Sequence, residues 1–300
     1  LMFDTIIAVD WSARSTPSPV KPTKDAIYLC VSRLHEGASQ HPEYFRTRAE
    51  AMVRIHDLLD GEMAAGRRSF IGFDFNFGYP SGFANILTGR TDGISVWKWM
   101  SERIEDGSDN QNNRFDVAAE INAQFPGIGP FWGAPNSVCL NGLPHKGSLR
   151  HGHGMNEWRQ SDLASKTAQS SWKLYTTGSV GSQAILGMSH LYKLKGWLGR
   201  RGAVFPLETG SMLPHLPVVI GEIYPSYYRV DYMIPLEEKY PNAPYHILDA
   251  RQVRQVCDRF ACLMQREMHA AHLFDINTVK ESVLKEEGWI VGVPANGMKT

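Results

Sequence analysis

Four acidic residues stand where an α/β protein would place them for chemistry. Asp10, Asp74 and Glu222 each lie near the end of a short apolar run (Thr5–Asp10, Ser69–Asp74 and Pro217–Ile223) of the kind that forms a strand buried inside a sheet. The ligand crevice of an open α/β sheet lies beyond the carboxyl ends of its strands, so these three acids are expected along one rim. Asp249 comes from a helix: counted back from the apolar stripe Val253, Val256, Phe260 and Leu263 or Met264, it falls on the inward face. Asp258 falls on the polar side of that helix one turn after Arg254, the spacing of a surface ion pair. Two carboxylates about 4 Å apart repel by roughly 1 kcal/mol in water and roughly 4 kcal/mol at the effective dielectric of a protein rim. Four that converge need a cation or a shared proton. Oxygen donors in that number favour Mg²⁺ or Mn²⁺ over zinc, and one or two such ions held by carboxylates suit hydrolysis of a phosphodiester. Singly, each acid is better explained as a helix cap or an arginine's partner; together they favour the metal site.

The elements that must position these acids follow from the pattern around them. Strands are predicted at Thr5–Asp10, at Ala26–Ser32 beyond a Pro/Ser-rich turn, and around Glu43 to Arg46. Thr47 opens a helix whose face is Met52, Ile55, Leu59 and Met63, ending near Gly66, and the strand Ser69–Asp74 follows. Residues 105–169 lose all periodicity, which predicts a long irregular insertion serving as a lid or subdomain of a single domain spanning 1–300. A helix is expected over 180–198 with Ile185, Met188 and Leu191 on one face, then the strand ending at Ile223, a long helix over 248–271, and a strand or cover segment over 287–294. The sum is a mixed-sheet α/β fold.

Composition narrows the function. Thirty-one Lys plus Arg balance thirty-one Asp plus Glu, so a protein that coats nucleic acid or an anionic membrane is not expected, and a polyanion would have to be held by a local patch. The four cysteines (Cys30, Cys139, Cys257 and Cys262) are too scattered for a disulfide framework, which suits a reducing, cytoplasmic location. No apolar run reaches the roughly 20 residues of a membrane helix. Zinc at Cys257, Cys262, His269 and His272 is excluded because one helix would spread them over about 22 Å.

The segments Ala8-Val9-Asp10, Ile71-Gly-Phe-Asp74 with Pro80, Glu222-Ile-Tyr-Pro225, Asp249-Ala250 and Glu287-Gly-Trp-Ile290 with Pro294 resemble the motifs of the family of predicted nucleases called domain of unknown function 429. The resemblance covers the first 80 residues and roughly the last 85. It departs in the five residues between Asp74 and Pro80, where the family has about one, and in Arg251, where an apolar residue usually follows Asp-Ala. It implies a ribonuclease-H-like fold with strand order 3-2-1-4-5. The implied activity is a metal-dependent nuclease or phosphodiesterase, with Asp10, Asp74, Glu222 and Asp249 as catalytic and metal-binding residues.

Contacts to substrate are sought among Ser12, Ser179, Ser182, His151 and His153. Thr177-Gly-Ser-Val-Gly-Ser-Gln183 leads into a helix, whose N-H groups and dipole suit a phosphate as well as an ordinary turn. His145, His151 and His153 cluster with Lys146 and Arg150 beside the turn Gly129-Pro-Phe-Trp-Gly133, which would either stack a base or pin the loop. Lys193, Lys195, Arg200 and Arg201 around Trp197 read as helix C-terminal cations rather than a nucleic-acid patch. The expected partner is nucleic acid or a phosphorylated small molecule, with oligomeric state open. Two alternatives stand beside the hydrolase: an actin-like ATPase or kinase relative, disfavoured because Trp11-Ser-Ala-Arg-Ser15 contains no glycine, and a non-catalytic module that binds a phosphorylated partner.

Overall fold

The computed structural model describes residues 2–228 and 236–295. β1 (Thr5–Asp10) is returned antiparallel by β2 (Ile27–Arg33), with Asp10 opposite Tyr28, and β3 (Glu43–Phe45) continues antiparallel at the edge. Thr47 and Glu50 then close a capping box that starts α1 (Arg48–Ala64). This crossover helix lets β4 (Ser69–Phe73) enter parallel to β1. Next come α2 (Phe83–Thr88), α3 (Gly93–Ser101), α4 (Arg114–Asn122), α5 (Gln160–Ser165) and α6 (Gly181–Leu198), followed by β5 (Gly202–Phe205) and β6 (Val218–Glu222). α7 (Leu236–Lys239), α8 (Leu248–Met264), α9 (Glu267–Leu273) and α10 (Glu281–Glu287) complete the chain.

The result is a six-stranded mixed sheet in the order β3-β2-β1-β4-β6-β5 with helices on both faces. This corrects the expected order 3-2-1-4-5. β5, unread in the sequence because four residues between Arg201 and Pro206 show no period, pairs parallel to the outer edge of β6. The strand carrying Glu222 is therefore sixth in the chain and fifth in the sheet. The long helix expected over 248–271 breaks after Met264 into α8 and α9. The closing segment is a cover, joined to β6 by a single bridge between Ile290 and Glu222. No helix among the described residues is long and apolar enough to cross a membrane.

One apolar layer packs α1, α3 and α6 against Val9, Phe73 and Ile220, and the other packs α8 against Ala8, Phe70 and Val219. The segment 105–169 is anchored in the first layer rather than held over it as a lid: Val117, Ile121 and Phe131 are buried there with Trp172. Its strongest tie is Arg159, which is completely buried. The Arg159 guanidinium donates to both Glu222 oxygens at 2.7 and 2.6 Å, to Asp162 at 2.8 Å and to the Glu287 carbonyl at 3.1 Å. Removing one member of such a pair leaves charge buried alone. Arg159→Met should therefore cost about 3–5 kcal/mol in urea denaturation; a loss below about 1 kcal/mol would show that this pair does not tie the insertion to the sheet.

Candidate functional site

Pairing fixes which acids meet. Val9 is opposite Phe73 and Phe73 is opposite Glu222, so these three side chains share one face of the sheet. Asp10 and Asp74 come one residue later and point to the other face, towards α8. There the two carboxyl groups hydrogen-bond to each other, with Asp249 of α8 close enough to act on both electrostatically. Three of the four predicted residues are thus brought together. Glu222 is the exception and a correction to the sequence-based set: it is buried in the ion pair with Arg159 and also accepts from the Phe77 N-H at 2.9 Å. Its carboxylate is committed to that arginine, and strand alternation sets it on the opposite face of the sheet from Asp10 and Asp74.

The acidic trio is held by backbone. Asp74 accepts from the Trp11 N-H at 2.7 Å, and Asp249 accepts from the N-H of Asp25 at 2.9 Å, where Asp25 adopts a left-handed backbone with φ of 56°. The loop after Asp10 is clamped from below: Arg48 donates to the carbonyls of Ser12 and Arg14 at 3.0 and 2.9 Å and is itself paired with Asp106 at 2.6 Å. His190 meets the same Asp106 carboxylate at 2.7 Å and lies edge-on to Trp11. Burial alone would raise Asp106, but Arg48 and His190 hold it down at about 2.

The trio itself behaves in the opposite way. Burial, then the charge and hydrogen bond of Asp74, then the charge of Asp249, push Asp10 well above the ordinary carboxyl range. Burial lifts Asp74 to about 6 in spite of its bonds to Asp10 and Trp11. Burial also raises Asp249, with the Asp25 N-H opposing. Among the described residues no lysine, arginine or histidine forms an ion pair with any of the three, whereas Asp106 and Glu222 each have a buried arginine. Burial and mutual repulsion both disfavour ionisation of the Asp10–Asp74 pair. Its oxygen chemistry suits a hard cation, but among the described residues no three His, Cys, Asp or Glu side chains stand as a closed cage for one.

A cleft of about 520 Å³ opens beside Asp74. Asn76, Arg159 and Glu222 line one side, Tyr224, Ser226 and Gln252 another, and Thr177, Gly178 and Val180 a third. Asp74 is the one member of the trio among the residues that line the cleft, and Gln252 lies one turn after Asp249 on α8. With its amide oxygen turned towards Arg159, Asn76 accepts at 2.7 Å from that guanidinium and at 3.0 Å from the Ser171 hydroxyl. Sequence reasoning missed Arg159, Asn76, Tyr224 and Gln252. Arg159 sits in the aperiodic stretch where no spacing marks a residue as inward, and Asn76 is hidden among aromatic residues.

The substrate contacts expected from sequence are mostly elsewhere. Ser12 spends its hydroxyl on the Asp25 carbonyl at 2.7 Å, and the buried Ser182 hydroxyl donates to the Leu174 carbonyl at 2.6 Å while accepting from Arg114. Ser179 belongs to the turn whose neighbours Gly178 and Val180 line the cleft. His151 lines a separate depression with Ile128 and Leu149, and His153 accepts from the Met155 N-H at 3.1 Å; neither lines the cleft. Arg201 stacks over Trp197 and donates to its carbonyl, as a helix C-terminal cation should. Arg254 pairs with Asp258 at 2.8 Å, and is more than a surface partner because it also reaches the Gln40 carbonyl and the Tyr245 hydroxyl.

Compared with known proteins, the chain matches no family model, no curated protein and no solved structure.

A carboxyl whose pKa is raised by folding contributes stability at low pH and loses it as pH rises through the folded value. The trio should therefore make the protein progressively less stable from about pH 4 through the Asp74 value of about 6. Asp10→Asn, which keeps a donor for Asp74 and removes a charge, should flatten this profile and stabilise the protein at pH 7–8 by roughly 1–3 kcal/mol. Thermal melts across pH check this; a variant less stable than the parent at pH 8 would contradict it.

Proposed function

We propose that this protein is a metal-dependent hydrolase of phosphodiesters, related to the domain of unknown function 429 family and built on a ribonuclease-H-like sheet. The observation that carries the reading is the meeting of Asp10, Asp74 and Asp249 from β1, β4 and α8, with no ion pair to any of them among the described residues and only the charge of Lys24 acting on Asp249 from outside ion-pair distance. The β3-β2-β1-β4-β6 portion of the sheet, with only β2 antiparallel to its central neighbour β1, supports the fold assignment; β5 is an addition at its edge.

Asp10 and Asp74 would hold Mg²⁺ or Mn²⁺, with Asp249 supplying further negative charge. A divalent ion there supplies the positive charge that hydrolysis needs at the reacting phosphate. The chain's own contribution is orientation and proton management. Trp11 N-H and Asp25 N-H fix two of the carboxyl groups, and burial beside Asp74 makes Asp10 resist ionisation. The turn at 177–180 lines the far wall of the cleft within reach of a bound ligand. Glu222, Arg159 and Asn76 form the cleft's rigid side. The loop after Asp10 tells against the kinase alternative, because its Ser12 and Arg14 carbonyls are held by Arg48 and no glycine lets the backbone wrap a phosphate.

The test is incubation with labelled single-stranded, duplex and branched nucleic acids in Mg²⁺ or Mn²⁺. Metal-dependent cleavage is expected, reduced by roughly two orders of magnitude in Asp10→Asn. No cleavage of any substrate with either ion, or cleavage undiminished in the variant, would overturn the reading.

A further inference from the structure

Across the turn that closes the cleft lies a second recess, of about 240 Å³, lined by Trp132, Tyr175, His145 and Lys146, with Gly147 against the Trp132 ring. The two spaces share one segment of chain: Tyr175 and Thr176 face the recess, Thr177 and Gly178 face the cleft. Trp132 is held in place by backbone on both sides, its N-H donating to the Trp172 carbonyl at 3.1 Å and its carbonyl accepting from Leu174 at 2.9 Å. That pairing brings Tyr175, a residue 46% exposed, alongside it.

Charge separates the two spaces. The cleft carries Asp74, Asp162 and Glu222 against the single Arg159. The recess carries Lys146, and Lys173 and Arg150 lie over the Trp132 ring at 5.7 and 5.5 Å. Arg150 is paired with Glu157, while among the described residues neither Lys146 nor Lys173 forms an ion pair; Lys173 donates to the Thr177 carbonyl. Aromatic faces beside unpaired lysines are the combination that holds single strands, the rings stacking bases and the cations following the backbone.

We propose that this recess is a stacking subsite for one base of a single-stranded nucleic acid. Lys146 and Lys173 hold the adjoining phosphates, and the strand crosses the 175–178 turn so that the next phosphodiester lies in the cleft at Asp74. The direction of the strand rests on the hydrolase reading; the subsite does not.

Fluorescence anisotropy with fluorescein-labelled ten-nucleotide oligo(dT) and oligo(U), on the Asp10→Asn protein without divalent metal, separates binding from cleavage. Tyr175→Ala, at an exposed position that leaves the fold intact, should weaken binding by roughly 5- to 100-fold, whereas Tyr175→Phe keeps the ring and should change it less than about twofold. Lys146→Gln and Lys173→Gln should each lower the slope of log affinity against log salt by about 0.7. Failure of both strands to bind, or binding indifferent to Tyr175→Ala and to both lysine substitutions, overturns the proposal. Binding with these dependences in a protein that cleaves nothing would leave the subsite standing and remove the hydrolase; cleavage with binding indifferent to them would do the reverse.

Discussion

Three carboxyl groups gathered without an ion-pair partner among the described residues form the constraint on which the site depends. Like charges about 4 Å apart repel by roughly 4 kcal/mol at a protein rim, and folding tolerates closely gathered acids only if the charge is reduced. Here burial and the charge of Asp249 both disfavour ionisation of Asp10 and Asp74. Elsewhere in the chain the same problem is solved with arginine, as Asp106 with Arg48 and Glu222 with Arg159 show. The absence of that solution at the trio sets it apart from the structural ion pairs around it.

The fold creates this arrangement through strand register. Parallel pairing of β1 with β4 sets Asp10 and Asp74 side by side on the face covered by α8, and α8 enters with Asp249 in its first turn. Residues one step earlier in the register point to the opposite layer, which is where Glu222 goes and where Arg159 meets it. The C-terminal segment then locks both layers: Glu287 accepts from the Ser81 and Gln160 N-H groups, and Glu286 accepts from the Gly82 and Ala84 N-H groups at the start of α2. The Glu-Gly-Trp-Ile ending thus caps helices beside the site with Glu287 and lines the cleft with Ile290.

Much of this was legible in the sequence because it depends on local period. The runs ending at Asp10 and Asp74, the Thr47 start of α1 and the inward face of α8 leading back to Asp249 all follow from alternation or helical spacing, and each acid of the trio is where those patterns put it. Glu222 shows the limit: its strand was found, but its face depends on register with β4, which a single strand's pattern does not contain. The role of Arg159 was invisible because long-range ion pairs leave no spacing in an aperiodic stretch. Of the five residues between Asp74 and Pro80, Phe75, Phe77 and Tyr79 are buried in the core while Asn76 lines the cleft, so this stretch serves both packing and the site. Likewise the histidines at 145, 151 and 153, neighbours in sequence, divide between two different depressions and a local backbone contact.

The most direct measurement is calorimetric titration of the protein with Mn²⁺ at pH 7 in two buffers of different protonation heat, which counts the protons displaced per ion bound. If the trio holds its proton in place of a cation, binding should release about one proton per ion, and Asp10→Asn should lose both the release and most of the affinity. Binding without proton release, or unchanged in that variant, would contradict the account, as would no binding at millimolar Mn²⁺.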